Sequence, residues 1–251
     1  MGGMAHVESV ARAVKIIEEL AKSPAGLSET ARRVDLPKTT VARLLSTLED
    51  VEAVERDDDG RLYRLGPLVR RLSAAAGGPA QLAGFARPYL EELTSVIGEA
   101  AGVSIPDGYA VHYVDQTEAE HPVQVRDWTG ELIPMHVVPS GLVIMAHWPA
   151  EQIERFLSRD LVVLTANTVA DPTVIRDRLE TVRADGYFWL YEEFVEGINS
   201  VAAPVLDDAG TITAALHVHG PAYRFPAPGA EVAVGLAVAD SAQHLSEAMA
   251  R

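Results

Sequence analysis

Cysteine is absent from the 251 residues. That excludes a disulfide framework, a thiolate metal site and a cysteine nucleophile. Lysine is scarce: Lys15, Lys22 and Lys38 are the only three, all near the amino terminus. Long apolar runs are missing as well. Each is broken by a charge, Pro or His well short of the roughly 18 residues a membrane-spanning helix needs. The first thirty residues carry charges throughout and no apolar core of the secretory kind, so a cytoplasmic protein without a membrane partner is expected. Met1-Gly2-Gly3-Met4 reads as an alternative start and is set aside from the fold.

Hydrophobic residues make up 48% and charged residues 23%. Such a balance excludes a disordered chain, a collagen and a coiled-coil rod. The length suits one or two domains of about 100–200 residues each. A net charge of −15 argues against a nucleic-acid partner until its distribution is read. Residues 1–78 hold twelve basic and twelve acidic side chains and are neutral; residues 79–251 carry the whole acidic excess. Asymmetry of this kind is what two domains with different partners would show, although an acidic surface also simply keeps the larger domain dissolved.

In the first part, Val10, Ala13, Val14, Ile17, Leu20 and Ala21 recur at helical spacing after Ser9, a plausible N-cap. Pro24-Ala25-Gly26 ends that helix. Ser28 is placed to cap a short second helix whose Ala31 and Val34 face inward. After Asp35-Leu36, Pro37 fits the first turn of a third helix with Val41, Leu44, Leu45 and Leu48 as its apolar stripe. Val54-Glu55-Arg56 and Arg61-Leu62-Tyr63-Arg64-Leu65 flank Asp57-Asp58-Asp59-Gly60, a hairpin signal. Three helices and a hairpin are the order of a winged helix-turn-helix. The polar face of the third helix holds Lys38, Thr39, Thr40, Arg43 and Ser46, with no acid between Pro37 and Leu48. Short hydroxyls and long cations suit phosphate and base-edge contacts in a major groove. Ser28 joins this set, and Arg56, Arg61 and Arg64 on the hairpin arms are placed to meet the backbone, while three aspartates at the tip oppose contact there. The alternative is a small helical bundle with a solvated polar face.

Leu68 to Ala76 continues as a helix and Gly77-Gly78-Pro79 breaks it. A second helical run follows through Phe85, Leu90, Leu93, Val96 and Ile97. Strand-like runs surround Pro106-Asp107-Gly108 within 101–116; helices are expected over Ser140–Trp148 (capped by Ser140), Glu151–Leu157, Pro172–Ala184 and Gly229–Met249. Ser200–Leu206 and Thr211–His219 form the clearest hairpin. Strands and helices without strict alternation favour an α+β class with an antiparallel sheet. His217 and His219, two apart on a strand, point to one face with Ala215, and Leu216 and Val218 to the other.

LSETARRVDLPKTTVARLLSTLE followed by VERDDDGRLYRLGP, and then IPMHVVPSG, GYFWLYEEFVEGINSVAAPV and AALHVHGPAYRF in that order, resemble the IclR family of transcriptional regulators over nearly the whole chain. The resemblance implies a winged helix-turn-helix over residues 5–66, a linker helix over 67–79 and a GAF-like effector-binding domain over 80–251. It implies a homodimer or tetramer that binds a palindromic operator in double-stranded DNA, needs no cofactor and performs no catalysis. Positions matching 217 and 219 are often small hydroxyl residues that hold an effector carboxylate in the family. Ser200 and the backbone around Pro139-Ser140 match further effector-contacting positions. Leu190 stands where Asp or Ser is common, and Leu142 where lysine is common. The pocket therefore departs from the family's short-keto-acid pattern.

Two imidazoles supply donors or acceptors according to tautomer, and the amides at the start of the Ser140 helix favour a negative or polar group. Met135, Phe188, Trp189 and Leu190 are candidates for an apolar wall, of which only some can face the same way. The expected reading is a repressor of a catabolic operon that senses a small organic acid, amide or phenol, preferably aromatic. Two alternatives stand beside it. One is a metal-assisted hydrolase with His217, His219 and His136 (or His112) as ligands, unsupported by any HExxH, GxSxG, P-loop or GxGxxG pattern. The other is a protein-interaction module, supported only by the acidic wing and overall acidity.

Overall fold

A computed structural model describes residues 7–57, 59–75, 78–122 and 124–250. The Met1–Met4 segment, the start of the first domain at residue 5, Asp58 of the wing tip, the Gly77 break and Arg251 lie outside the described residues. The chain forms two compact units, Met1–Gly78 and Pro79–Arg251.

The first unit packs α1 (Glu8–Lys22), α2 (Leu27–Arg33) and α3 (Lys38–Asp50) around Ile16, Leu20, Ala31, Val34, Val41, Leu45 and Leu48. These positions carry the helical spacing read from the sequence, which is why one core forms. Helix starts differ by a residue or two from expectation. Val7, not Ser9, holds the cap position of α1; Gly26, not Ser28, that of α2; and Pro37 precedes α3 rather than lying in its first turn. None of the three has a side-chain cap; packing of the apolar stripe sets these ends more than local polar groups do. Arg33 closes α1 instead, donating from Nη1 to the Ser23 carbonyl at 2.9 Å and the Glu19 carbonyl at 3.3 Å. Strands β1 (Val54–Arg56) and β2 (Tyr63–Leu65) pair antiparallel. Ala25 adds a bridge to Tyr63 through two backbone bonds of 2.9 and 3.1 Å, so the hairpin is anchored to the helices. Helix α4 (Pro67–Ala75) follows.

Helix α5 (Gly78–Ile97) begins where a break was expected at Gly78-Pro79. Proline is tolerated there because first-turn amides have no intrahelical partner. The second unit is a six-stranded antiparallel sheet in the order β5-β4-β3-β8-β7-β6. Its strands are β3 (Ala100–Asp107), β4 (Ala110–Gln116), β5 (Leu132–Pro134), β6 (Phe188–Tyr191), β7 (Ile198–Leu206) and β8 (Ile212–Pro221). The short edge strands β5 and β6 have no counterpart in the sequence reading. One face packs Val201, Leu216 and Val218 against Leu90 and Leu93 of α5 and Val238 and Leu245 of α9 (Glu231–Met249). The other face packs against α6 (Pro139–Ala146), α7 (Ala150–Leu157) and α8 (Pro172–Asp185).

All eight residues of α6 are buried, and the helix lies across β7 and β8. It is preceded by a 3-10 turn, Met135–Val137. Gly141 makes that approach possible: a Cβ there would fall 2.1 Å from the Met135 carbonyl oxygen. Val138, not Ser140, occupies the cap position, and Ser140 lies inside the first turn, buried. Among the described residues no helix is long and apolar enough to cross a membrane.

Candidate functional site

Two sets of residues stand out, one in each unit. In the first, Lys38, Thr39 and Arg43 are exposed on α3 and Thr40 is half-buried. Ser28 is exposed on α2 and shares with Lys38 the wall of an open groove of about 770 Å³. Arg43 makes no ion pair among the described residues, so its guanidinium is available to a partner. The hairpin arginines divide. Arg56 donates to Glu49 at 3.0 Å and to the Tyr63 hydroxyl at 2.6 Å, its guanidinium 4.7 Å from the Tyr63 ring centre. Arg64 donates to Glu55 at 3.0 Å, a carboxylate it shares with Arg70 at 3.2 Å. Arg61 uses only its backbone amide, which donates to Asp57 Oδ1 at 2.7 Å. The Leu62 and Arg61 amides hold the Asp57 carboxyl below its usual range. Exposed pairs like these contribute little and exchange readily for phosphate.

In the second unit the row Leu190–Ser200–His219–Ala100 crosses β6, β7, β8 and β3. The neighbouring row on the same face is Phe188–Ala202–His217–Gly102. Met135, Leu190, Ala202 and Ala215 lie in the apolar cluster on this face, with Phe188 packed against it. Pro139 and Ser140 arrive from α6, buried in the same layer. Trp189 points the other way: it joins the opposite cluster and its indole N–H donates to the Glu231 carbonyl at 3.1 Å. It is no part of the wall.

His217 and His219 are 1% and 4% exposed. Their rings stack 5.6 Å apart with 22° between planes, and Tyr113 of β4 covers His217 at 4.3 Å. Both nitrogens of His217 and Nε2 of His219 are buried with no hydrogen-bond partner among the described residues, and the Ser140 hydroxyl is buried within reach of the Tyr113 phenol. Burial pushes the His219 imidazole down to about 4, against a weaker opposing pull from the Asp127 carboxylate. Burial, and then the neighbouring His219, push His217 well below its ordinary value. Both rings are therefore neutral near pH 7. Burial likewise raises the Tyr113 phenol to about 12, tempered by the Ser140 hydroxyl beside it. Native structures leave few buried polar atoms unpaired, and three imidazole nitrogens in one spot mark a place where a ligand's polar groups would be received.

The helix start contributes less than expected. Gly141 and Leu142 amides both donate to the Val138 carbonyl, at 3.1 and 3.2 Å, and Pro139 has no amide hydrogen. Only the Ser140 amide remains. The third ligands named in the metal reading are not grouped with His217 and His219 among the described residues. His136 Nε2 is engaged by the Val162 carbonyl at 2.8 Å. His112 alternates with Tyr113 along β4 and faces the opposite side of the sheet from His217. No cluster of three His, Asp or Glu suited to a metal ion occurs among the described residues.

Two contributors escaped the sequence reading. Tyr113 reaches His217 because it pairs with Ser104 of β3, which in turn pairs with Ala215, two residues from His217 on β8. Gly102 left a signal, an isolated glycine within a strand. A Cβ at that position would lie 2.4 Å from His217 Nε2, so the missing side chain makes room for the imidazole.

Comparison with known proteins gives these residues a context. Residues 9–58 match the IclR helix-turn-helix domain, and residues 76–247 match the bacterial transcriptional regulator IclR C-terminal domain. The HTH-type transcriptional regulator Rv1719 of Mycobacterium tuberculosis is 34% identical over 92% of this chain and 88% of its own length. The HTH-type transcriptional repressor AllR of Klebsiella pneumoniae is 28% identical over 96% and 90%. A solved IclR transcriptional regulator of Silicibacter sp. TM1040 superposes with a TM-score of 0.67 at 26% identity, covering 96% of each chain.

Proposed function

The chain belongs to the IclR family of DNA-binding transcriptional regulators, which are not enzymes, and on that footing we propose that it is a cytoplasmic, effector-controlled repressor of a catabolic operon. Lys38, Thr39, Thr40 and Arg43 of α3 enter the major groove of a palindromic operator as a homodimer or tetramer. Ser28 and Arg61 take neighbouring phosphates, joined by Arg56 and Arg64 once their own acids release them. Repression is the sign supported by the likeness to AllR. The effector is a small acid, amide or phenol, and the preference for an aromatic one rests on the Tyr113, Phe188, Met135 and Leu190 surroundings.

The observation that carries the ligand reading is the set of unpaired buried nitrogens on His217 and His219. Response follows if the bound state favours a different arrangement of two DNA-binding heads; only a difference in affinity for the two arrangements does this.

Selection of duplexes from random DNA, with binding then measured against salt and with Arg43→Ala beside the parent, tests the DNA half. Palindromic half-sites, a log–log salt slope of roughly −0.9 per phosphate neutralised and a loss of about 1–3 kcal/mol for Arg43→Ala are expected. Salt-independent binding, or an unaffected Arg43→Ala protein, removes α3 from the interface. Benzoate, benzamide and phenol added to the complex test the other half, with release of DNA expected for at least one.

A further inference from the structure

The same buried face carries a statement about the form in which an acid is recognised. This deepens the effector reading above and rests on it. We propose that the site binds an aryl carboxylic acid together with one proton, held on His219, with the carboxyl group received by the two imidazoles and the Ser140 hydroxyl.

The argument begins with what surrounds the rings. Strand β3 presents Gly102 and Ser104, and β7 presents Ser200 and Ala202. Helix α6 contains no titratable side chain at all. Strand β4 contributes the Tyr113 phenol, and the segment before β5 contributes Asp127. The charge on His219 is thus opposed by burial and favoured by Asp127, while no Lys or Arg acts on either ring. Two arginines that touch aromatic rings of this layer are already committed. Arg178, 5.9 Å from the Phe188 ring centre, pairs with both oxygens of Glu193 at 2.8 and 2.9 Å. Arg126, 3.9 Å from the Trp128 ring centre, pairs with Glu131 at 2.8 Å.

A bare carboxylate entering this layer would be a buried charge with one helix amide, no cation and an aspartate for a neighbour. Such a charge is taken up only if it is paired. A proton drawn from solvent resolves this. It rests on His219, whose charge Asp127 favours, or is shared with the carboxyl, and no covalent bond is made or broken. Because burial keeps both rings unprotonated beforehand, close to one whole proton is taken up on binding. An amide, which donates and accepts while neutral, needs none.

Calorimetric titration of the intact protein with benzoate and with benzamide, between about pH 6 and 8 and in buffers of different ionisation enthalpy, separates the possibilities. Benzoate is expected to weaken about tenfold per pH unit, with one proton taken up, while benzamide stays level. His219→Gln keeps a donor and an acceptor but cannot be charged. It is expected to retain benzamide binding, which also reports that the variant folds, and to lose the pH slope for benzoate. Level benzoate binding without proton uptake overturns this proposal and leaves the effector reading standing. A slope that survives in His219→Gln overturns the assignment of the proton to that ring. Failure of both probes at millimolar concentration overturns the aromatic effector reading and this proposal with it.

Discussion

On α3 Lys38, Thr39 and Arg43 stand in solvent with Thr40 half-buried beside them, and Arg43 has no ion pair to give up among the described residues. On the sheet of the second unit the side chains offered to a ligand are sealed under α6, and their nitrogens have nothing to bond. The head keeps its working groups where changing them costs the fold little. The sensor keeps its working groups where each unpaired atom works against the fold. If the proposed effector site is right, a regulator built this way has one unit whose stability is separable from its function and one whose stability is partly given over to it. Three experiments probe that contrast.

The largest effect is expected from acid. His219 has a folded value of about 4 against an ordinary 6.5, and His217 lies well below 6.5. Below the ordinary value the unfolded chain binds protons that the folded sensor refuses. Stability is therefore full above about pH 6.5 and falls as pH drops toward the folded values. A shift of the His219 size corresponds to roughly 3 kcal/mol across that window. His136, also lowered by burial, adds to the slope in the same direction. All three tryptophans, Trp128, Trp148 and Trp189, lie in the second unit, so urea unfolding followed by tryptophan emission reports the sensor alone. The first unit has no histidine among its described residues, and its helix signal should hold steady from pH 7 to 5. A sensor transition equally indifferent to acid would erase the contrast.

Next comes His217→Phe. The benzene ring keeps the stack with Tyr113 and removes two buried nitrogens that have no partner. Relief of an unsatisfied buried group is worth about 1–3 kcal/mol. The sensor transition is expected to move up by that order while response to effector disappears and operator affinity in its absence persists. A destabilised His217→Phe protein would mean that the imidazole is a packed structural residue, and that the unpaired nitrogens cost the fold nothing.

The same contrast explains what could be read from sequence. The head is built from local signals: Val41, Leu45 and Leu48 at helical spacing, and an Asp-Gly turn between short alternating runs. Its elements follow from such local signals, although the Ala25–Tyr63 bridge and the shared core join residues far apart in the chain. In the sensor the faces of β8 were legible because alternation is local, and His217 and His219 share a side for that reason alone. Their partners were not. Tyr113 meets His217 only through the pairing of β3 with both β4 and β8, and β8 lies more than a hundred residues further along the chain. Edge strands β5 and β6 are three and four residues long and exist only through pairing with β4 and β7. Ser9, Ser28 and Ser140 all look like caps and none is one. A capping hydroxyl adds only about 1 kcal/mol, less than burial of a whole apolar face contributes, so packing overrides it. At Ser140 the hydroxyl is instead left inside the ligand layer.

The smallest effect lies in the head, in the backbone where α3 ends. Glu52 has φ of +60°, in the left-handed region that favours glycine. The conformation is imposed by how α3 ends. The Glu52 amide donates to the Glu49 carbonyl at 2.9 Å, and the Ala53 amide reaches back to Leu48 at 2.8 Å, a closure that requires a left-handed residue. Nor can the turn relax easily, since a Cβ at Gly66 would fall 2.3 Å from the Glu52 carbonyl oxygen. The Glu52 side chain offers little in return: its 2.8 Å pair with Arg71 joins groups 58% and 60% exposed, and such pairs are nearly neutral. Glycine removes the steric penalty of about 1–2 kcal/mol but adds freedom to the unfolded chain. Glu52→Gly is thus expected to stabilise the head by roughly 1 kcal/mol, seen as a shift in its helix-monitored urea transition. Tryptophan-monitored unfolding of the sensor and affinity for the selected operator should stay where they were. Loss of operator affinity in this variant would show that strain in the head serves function after all, as the unpaired imidazoles do in the sensor.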